Sequence, residues 1–501
     1  MMDISTTEKK QSGIIININR LIGKEPVKMK NAVKICMAIL LSLAFLVACA
    51  PHEEEIFDVD FSFQSDKKDL EGATVKYLRK EGDQSFTAGD EQVLGYAVNT
   101  VLADLAAQRI KDVQKNLNCT LEISYYSDGA VTTNFNMGIA AGIYFCDIFT
   151  GVSDTFRDSM KAGLLVGLSE LGAYADFRNE DKWGKRNVLE ILYWNDDAYG
   201  LIPAAWPTAS VSYRGLTVVN EDLINALNAE DPRDLNENGK WTWETFRECL
   251  EKYYVEEGGE VKHYALSSSG DDVGANYLLS NGIKVAEKGA DGKYHSGMTN
   301  PAALEAMNEA NYIFNGDLSY TVDRIGGNTR PVEMLVGGNA VLGVMHYIEY
   351  VTGNLAKQMT NFGLLPWPSG PNVELGYMAC HYTNLENVIV IPQTTPNLEA
   401  TALVLDALYE PFEEYPDLDA IKDLLYHTYF FDRRDADVYI GMFHSTQFTR
   451  LGAPTNNALG EWVTSGVAPS QYIESHLEKL EEYIEEEVAP SKIAIEIVWG
   501  E

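Results

Sequence analysis

Cationic side chains are scarce in this chain: 39 Lys and Arg stand against 74 Asp and Glu in 501 residues, a formal net charge of −35. That balance excludes nucleic acid as a partner, because neutralising phosphates requires a basic surface. It suits solubility near an anionic cell surface instead. Histidine is rare too, with 8 residues, and none stands at metal-ligand spacing from a second His or a Cys. The 6 cysteines show no CxxC spacing. Cys119, Cys146, Cys249 and Cys380 are far apart and read as buried free thiols rather than a disulfide framework or a zinc site. GxxxxGK[ST], GxSxG, HExxH and a GxGxxG after a strand are all missing. The one SxxK match, Ser65 to Lys68, has no KTG downstream. Acidic pairs are too numerous to single out a glycosidase pair. Nothing asks for catalysis or a cofactor, and the chain reads as a non-enzyme.

Long apolar runs are absent as well. The best, Ile35–Ala48, is about 14 residues, short of the roughly 20 that a bilayer-spanning helix needs. Lys28, Lys30 and Lys34 precede it, the pattern of a secretory signal peptide. Met29 opens that basic region and makes a better start than Met1. The run ends in Leu46-Val47-Ala48-Cys49, which resembles a bacterial lipobox, where the cysteine thiol is diacylated and becomes the mature N-terminus. Residues 1–48 are therefore read as a signal peptide and 49–70 as a lipidated flexible tether, two acyl chains being enough for stable anchoring at the outer face of the cytoplasmic membrane.

About 450 residues follow, more than one hydrophobic core accommodates, so two lobes are expected. "ATVKYLRK" (73–80), a helix over about 90–117, "CTLEISYY" (119–126), a helix near 131–141 and "CDIFTG" (146–151) make a βαβαβ order. That order implies a parallel sheet flanked by helices, with ligands beyond the carboxyl ends of its strands. "DLNENGKWTWE" (234–244) places Asp234, Asn236 and Asn238 at alternate positions ahead of Gly239, as in a calcium loop, but Thr245 stands where the bidentate glutamate belongs. A weak Ca2+ site and an Asn-Gly turn leading to Thr242 as a helix N-cap are both open, the turn being favoured.

Eight further segments occur in a telling order: "CDIFTGVSDTFRDSMKAGLL" (146–165), "AYGLIP" (198–203), "VVNEDL" (218–223), "WTWETF" (241–246), "DGKYHSGMTNPAALEAMN" (291–308), "GGNAVLGVM" (337–345), "FGLLPWPSG" (362–370) and "NVIVIPQTTPNLEATALVLDAL" (387–408). In this order and spacing the chain resembles family 1 of the extracellular solute-binding proteins of ABC importers, the maltose-binding-protein-like group, over most of residues 72–412. The resemblance implies a type II periplasmic-binding fold: two α/β lobes, each a mixed, mostly parallel sheet flanked by helices, joined by crossing strands near 208–216 and 358–368. Lobe 1 would comprise 71–210 and 363–412, and lobe 2 would comprise 211–362, with the helices of 413–501 mainly on lobe 2.

The function implied is capture of a carbohydrate, an oligosaccharide foremost, by a lipid-anchored monomer that delivers it to ABC permease subunits. A surface glycan-processing enzyme and a passive glycan-binding adhesin are the alternatives. Aromatic faces and directed polar groups hold sugars in such clefts. By position the resemblance implies Asp154, Trp206, Asp272, Tyr347, Trp367 and Trp462 as ligand residues. Gly151 departs from the family, which has a stacking tryptophan there.

Thiol acylation explains the position of Cys49. Changing Cys49 to Ser is expected to release the protein to the medium or leave the precursor uncleaved, and metabolic labelling with a fatty acid checks it: the variant should carry no label.

Overall fold

The computed structural model describes residues 68–81, 91–207, 213–321, 331–345, 355–382, 385, 387–448, 462–463 and 465–500. Cys49, the signal peptide, residues 49–67 of the tether, the 208–212 stretch of the first crossing and Tyr347 lie outside the described residues. The end of the tether is seated against the fold: Lys68 pairs with Glu399 and the Leu70 N–H donates to Leu117 O at 2.8 Å.

Two sheets organise the described chain. In the first, the strands run in the order Val388–Val390, Ile148–Gly151, Ala73–Lys80, Cys119–Tyr126. Ala73–Lys80 is parallel to both of its neighbours, with Ala73 opposite Cys119 and Tyr77 opposite Ile148, whereas Val388–Val390 is antiparallel. The second has the order Ser319–Thr321, Glu260–Ser268, Ala340–Met345, Leu216–Asn220, Phe362–Leu365, with Val255–Glu257 paired beside Glu260–Ser268. Its first three strands are parallel and the rest antiparallel. Each sheet has its own core, around Tyr77, Trp183 and Leu405 in the first lobe and around Phe246, Leu266 and Met307 in the second. A further cluster, from Phe149 through Leu216 to Leu364, joins them.

The chain leaves the first sheet after Leu201, which bridges Ile389, and enters the second at Leu216. It returns between Leu365 and Val388. The helices Arg433–His444 and Pro469–Tyr483 pack on second-lobe elements, but the last helix, Ala489–Trp499, lies on the Tyr193–Ala198 hairpin of the first lobe.

The helix expected from about residue 90 begins only at Val101. Leu94 and Gly95 both take positive φ, +51° and +97°, the geometry of a tight hairpin turn, and fold Gln92–Val93 back on Tyr96–Ala97. Thr100 then caps the helix by accepting the Ala103 N–H, and Asn118, at φ +47°, ends it. The Trp243–Tyr253 helix starts as expected, with Thr242 and Thr245 forming a capping box. Cys119, Cys146, Cys249 and Cys380 are buried free thiols, and burial pushes Cys146 up to about 12.

Arg233 is one of the groups that join the C-terminal helices to the second lobe. Arg233 faces Glu221, Asp231 at 2.7 Å, Asp435 at 3.4 Å and Asp432 at 3.8 Å. Asp435 is fully buried and accepts the Leu364 N–H at 2.7 Å. One cation shared among four carboxylates compensates that burial incompletely, and desolvation pushes Asp435 up to about 7 against the pull of the Leu364 N–H and Arg233. The folded chain thus keeps a proton on Asp435 that the unfolded chain releases near pH 4, so stability falls as pH rises from about 4 to about 7. Replacing Asp435 by Asn, which still accepts from Leu364, should remove that part of the slope. Urea unfolding of both proteins across this range is expected to show a gap that widens with pH to the order of a few kcal/mol.

Candidate solute site at the strand ends

The strand Ile148–Gly151 opens at its carboxyl end into a 3₁₀ turn, Ser153–Phe156, and a short helix, Arg157–Lys161. Rings crowd the strand end: a Cβ on Gly151 would lie 2.8 Å from Phe156 and 3.0 Å from the Tyr126 hydroxyl. Room for a side chain is lacking at the position where the family has its tryptophan. Asp154 is half-buried inside the turn rather than at a cap, the N-cap position being Val152. It lines a cleft of about 480 Å3 together with Arg157, Lys161, Phe448, Lys479 and Tyr483. Phe448 packs on Tyr382, ring centroids 5.3 Å apart, within a parallel pair of short strands, Cys380–Tyr382 and Thr446–Phe448. Arg157 and Lys161 both reach Glu487, Arg157 at 2.7 Å. Burial works to raise the Glu487 carboxyl, but hydrogen bonds from Lys161 and Arg157 outweigh it and hold the group below its ordinary range.

The same short strands connect this cleft to a buried polar cluster. Arg214 bridges His381, and its Nη2 lies 3.2 Å from Asp272 Oδ1 and 3.8 Å from Asp271. His381 Nε2 is 3.6 Å from the same Asp272 oxygen. The hydroxyl of Ser269, which caps the Gly270–Ser280 helix, donates to Asp272 Oδ2 at 2.5 Å. Gly215, at φ +94°, lets the chain pass so close that a Cβ would meet Asn276 Oδ1 at 2.2 Å, and Asn276 Nδ2 donates to Gly215 O at 3.0 Å. Arg214 and Asp272 thus clamp the segment entering the second lobe to a helix of that lobe.

Several sequence-derived site residues are placed elsewhere. Trp206 lies in the first-lobe core, 4.4 Å from Phe412 and 5.9 Å from Tyr96 between ring centroids, with its Nε1 donating to Glu410 O. Trp367 sits in the second-lobe core, edge-on to Phe246 and Tyr277 at 5.1 Å each. Trp462 is in that core as well. Apolar packing claims these three rings, so none has a face open to a solute. Asp272 is fully buried and its carboxylate is engaged by Arg214 and Ser269, whereas Asp271, one residue earlier, remains partly accessible.

Asp234, Asn236 and Asn238 are not arranged as a calcium loop either. Pro232–Glu237 is a helix capped by Asp231, Asp234 faces Arg434 at 2.8 Å, and Asn238 donates to Asp234 O. A helix cannot wrap its side-chain oxygens around an ion as a calcium loop does, and a guanidinium already occupies the carboxylate. Sequence reasoning did not single out Arg157, Lys161, Lys479, Tyr483 or Phe448, which line the same cleft as Asp154. Arg157 and Lys161 were within reach, since positions 154, 157 and 161 share one face at helical spacing. Lys479 and Tyr483 come from a distant helix and carry no such signal.

Two α/β lobes joined by repeated chain crossings, with a polar cleft at the carboxyl end of a strand, define a type II periplasmic-binding fold. The chain belongs to the bacterial extracellular solute-binding protein family, which it matches over residues 99–411. Solved structures with the same fold include a sugar transporter from Rhizobium etli in an open conformation (14% identity, 82% of this chain and 99% of that one, TM-score 0.59). An ABC substrate-binding protein from Listeria monocytogenes in complex with cycloalternan is similar at 12% identity, 83% and 99% coverage and TM-score 0.55. An extracellular solute-binding protein from Staphylococcus aureus in complex with maltose follows at 11%, 82% and 98%, and 0.56. No curated protein matches the chain.

Removing one member of a buried ion pair leaves the other uncompensated, at about 3–5 kcal/mol. Asp272→Ala is expected to lower the unfolding free energy by roughly that amount. Arg214→Met combined with Asp272→Leu should recover most of it, and denaturant titration of the three proteins checks both.

Proposed function

We propose that this protein is a lipid-anchored receptor at the outer face of a bacterial cytoplasmic membrane that captures a carbohydrate and hands it to the permease of an ABC importer. The observation that carries the reading is the composition of the Asp154 cleft. Carboxylates and cations line it beside the partly exposed ring of Tyr483, in a volume of about 480 Å3, while Phe448, which also borders it, is buried against Tyr382. Sugar rings present apolar CH faces to aromatic carbons and hydroxyls to charged groups, and both kinds of partner are provided here. The complexes of the Listeria and Staphylococcus proteins with cycloalternan and maltose support the same class of solute. The signal-like run ending at Cys49 supports the anchor. The family supports binding without turnover, and on this reading the receptor acts as a monomer and releases its ligand unaltered.

Screening a glycan library by thermal shift identifies the solute, since a ligand at 100 times its dissociation constant adds about 2.7 kcal/mol to native stability. With that sugar, Asp154→Ala should weaken binding about tenfold to a hundredfold, a hydrogen bond from a charged group being worth roughly 1.5–3 kcal/mol. Calorimetry measures the loss. Product analysis after prolonged incubation should recover the sugar intact. A cleaved product would make the protein an enzyme, and an Asp154 variant that binds normally would move the site elsewhere.

A further inference from the structure

The C-terminal rod touches both lobes, and it lies beyond the residues that match the family. Its first half, Pro469–Tyr483, belongs to the second lobe: Tyr472, Leu480, Ile484 and Val488 enter that core, and Glu481 accepts the Ser296 N–H at 2.9 Å. A π-helical turn, Ile484–Val488, follows. Pro490 explains the widened turn, because it has no N–H to give to Glu486 O and its ring would clash with that carbonyl in a regular helix. The second half then lies on the first lobe. Ala494 is buried in the joining core, Trp499 Nε1 donates to the Tyr193 hydroxyl at 3.2 Å, and Lys492 pairs with Glu190 at 2.6 Å. Glu496 reaches back to the second lobe, 2.8 Å from Lys288 and 2.6 Å from the Tyr294 hydroxyl. At the turn itself Glu487 holds Arg157 and Lys161, on the helix that begins three residues after Asp154.

We propose that residues 484–499 are a strap that ties the lobes together beside Asp154, with Glu487 as its latch, so that the cleft opens only narrowly and takes a saccharide of one or two rings. The cleft lies between the Asp154–Lys161 segment on one side and Lys479–Glu487 on the other, and the Glu487 pairs span the gap between these walls at one end. A volume of about 480 Å3 falls in the lower half of the range, roughly 300–1,000 Å3, usual for small-ligand pockets. A rod packed on both lobes cannot lengthen, so parting the lobes on this side means breaking ion pairs at Glu487, Lys492 or Glu496. Glu487 is a positioning residue, acting on the solute through Arg157 and Lys161. The statement about solute size rests on the carbohydrate reading, whereas the strap does not.

The test compares the native chain with Glu487→Gln and Lys492→Gln, the second loosening the strap away from Arg157. X-ray scattering of the unliganded proteins decides the tether: both variants should show a larger radius of gyration with unchanged helix content, and identical profiles would overturn the strap. Titration with maltose and maltotetraose decides the size claim. The ratio of tetraose to maltose affinity should rise by about tenfold in Glu487→Gln; an unchanged ratio would overturn it. If native protein binds neither sugar nor any member of the glycan library, the carbohydrate reading fails and with it the size claim, while the scattering still decides the strap.

Discussion

Arg214 and Asp272 meet at 3.2 Å, both almost without solvent, at the point where the chain passes into the second lobe. Neither charge is tolerable there alone, because the cost of drying an ion is recovered only through its partner and its hydrogen bonds. The pair therefore holds the entering segment against the first turn of the Gly270–Ser280 helix, and the close contact of Gly215 with Asn276 leaves it no play. His381, on the returning stretch, joins the same cluster. The outgoing and returning crossings are thus pinned at one spot, and bending between the lobes falls to the backbone on either side of it.

The acidity of the chain shapes the rest. Cations being few, those near the lobe junctions are shared, Arg233 among four carboxylates and Arg434 among Asp432, Asp234 and Glu237; at the C-terminal rod the sharing is reversed, Glu487 drawing on both Arg157 and Lys161. The buried Arg233 pairs are screened far less than the exposed ones that Arg434 makes with Asp234 and Glu237. In the cleft beside Asp154, Arg157 and Lys161 are both committed to Glu487.

Strands with clear alternation were legible in the sequence to within a residue or two, as Ala73–Lys80 and Cys119–Tyr126 show. The Thr242 cap was legible for the same local reason. The start of the Val101 helix was misjudged because a buried Leu94 in a left-handed turn looks like helical patterning until the hairpin is seen. Asp271 and Asp272 could not be told apart in the sequence: a helix turns by about 100° per residue, so they face different surroundings and composition does not say which is dry. Trp206, Trp367 and Trp462 failed for a related reason, since a tryptophan is as good a core residue as a sugar platform.

Taken alone, the sequence determined the local matters: alternation and capping set the strands and helices, and the order of segments pointed to the family. Which groups meet was decided by tertiary structure. Asp154 and Tyr483 are more than 300 residues apart in the chain, yet line one cleft. The final helix lies on the first lobe beyond a widened turn at which Glu487 meets two cations from a helix more than 300 residues earlier. Such meetings depend on which buried surfaces and charges satisfy one another across the fold, a condition that no stretch of neighbouring residues encodes.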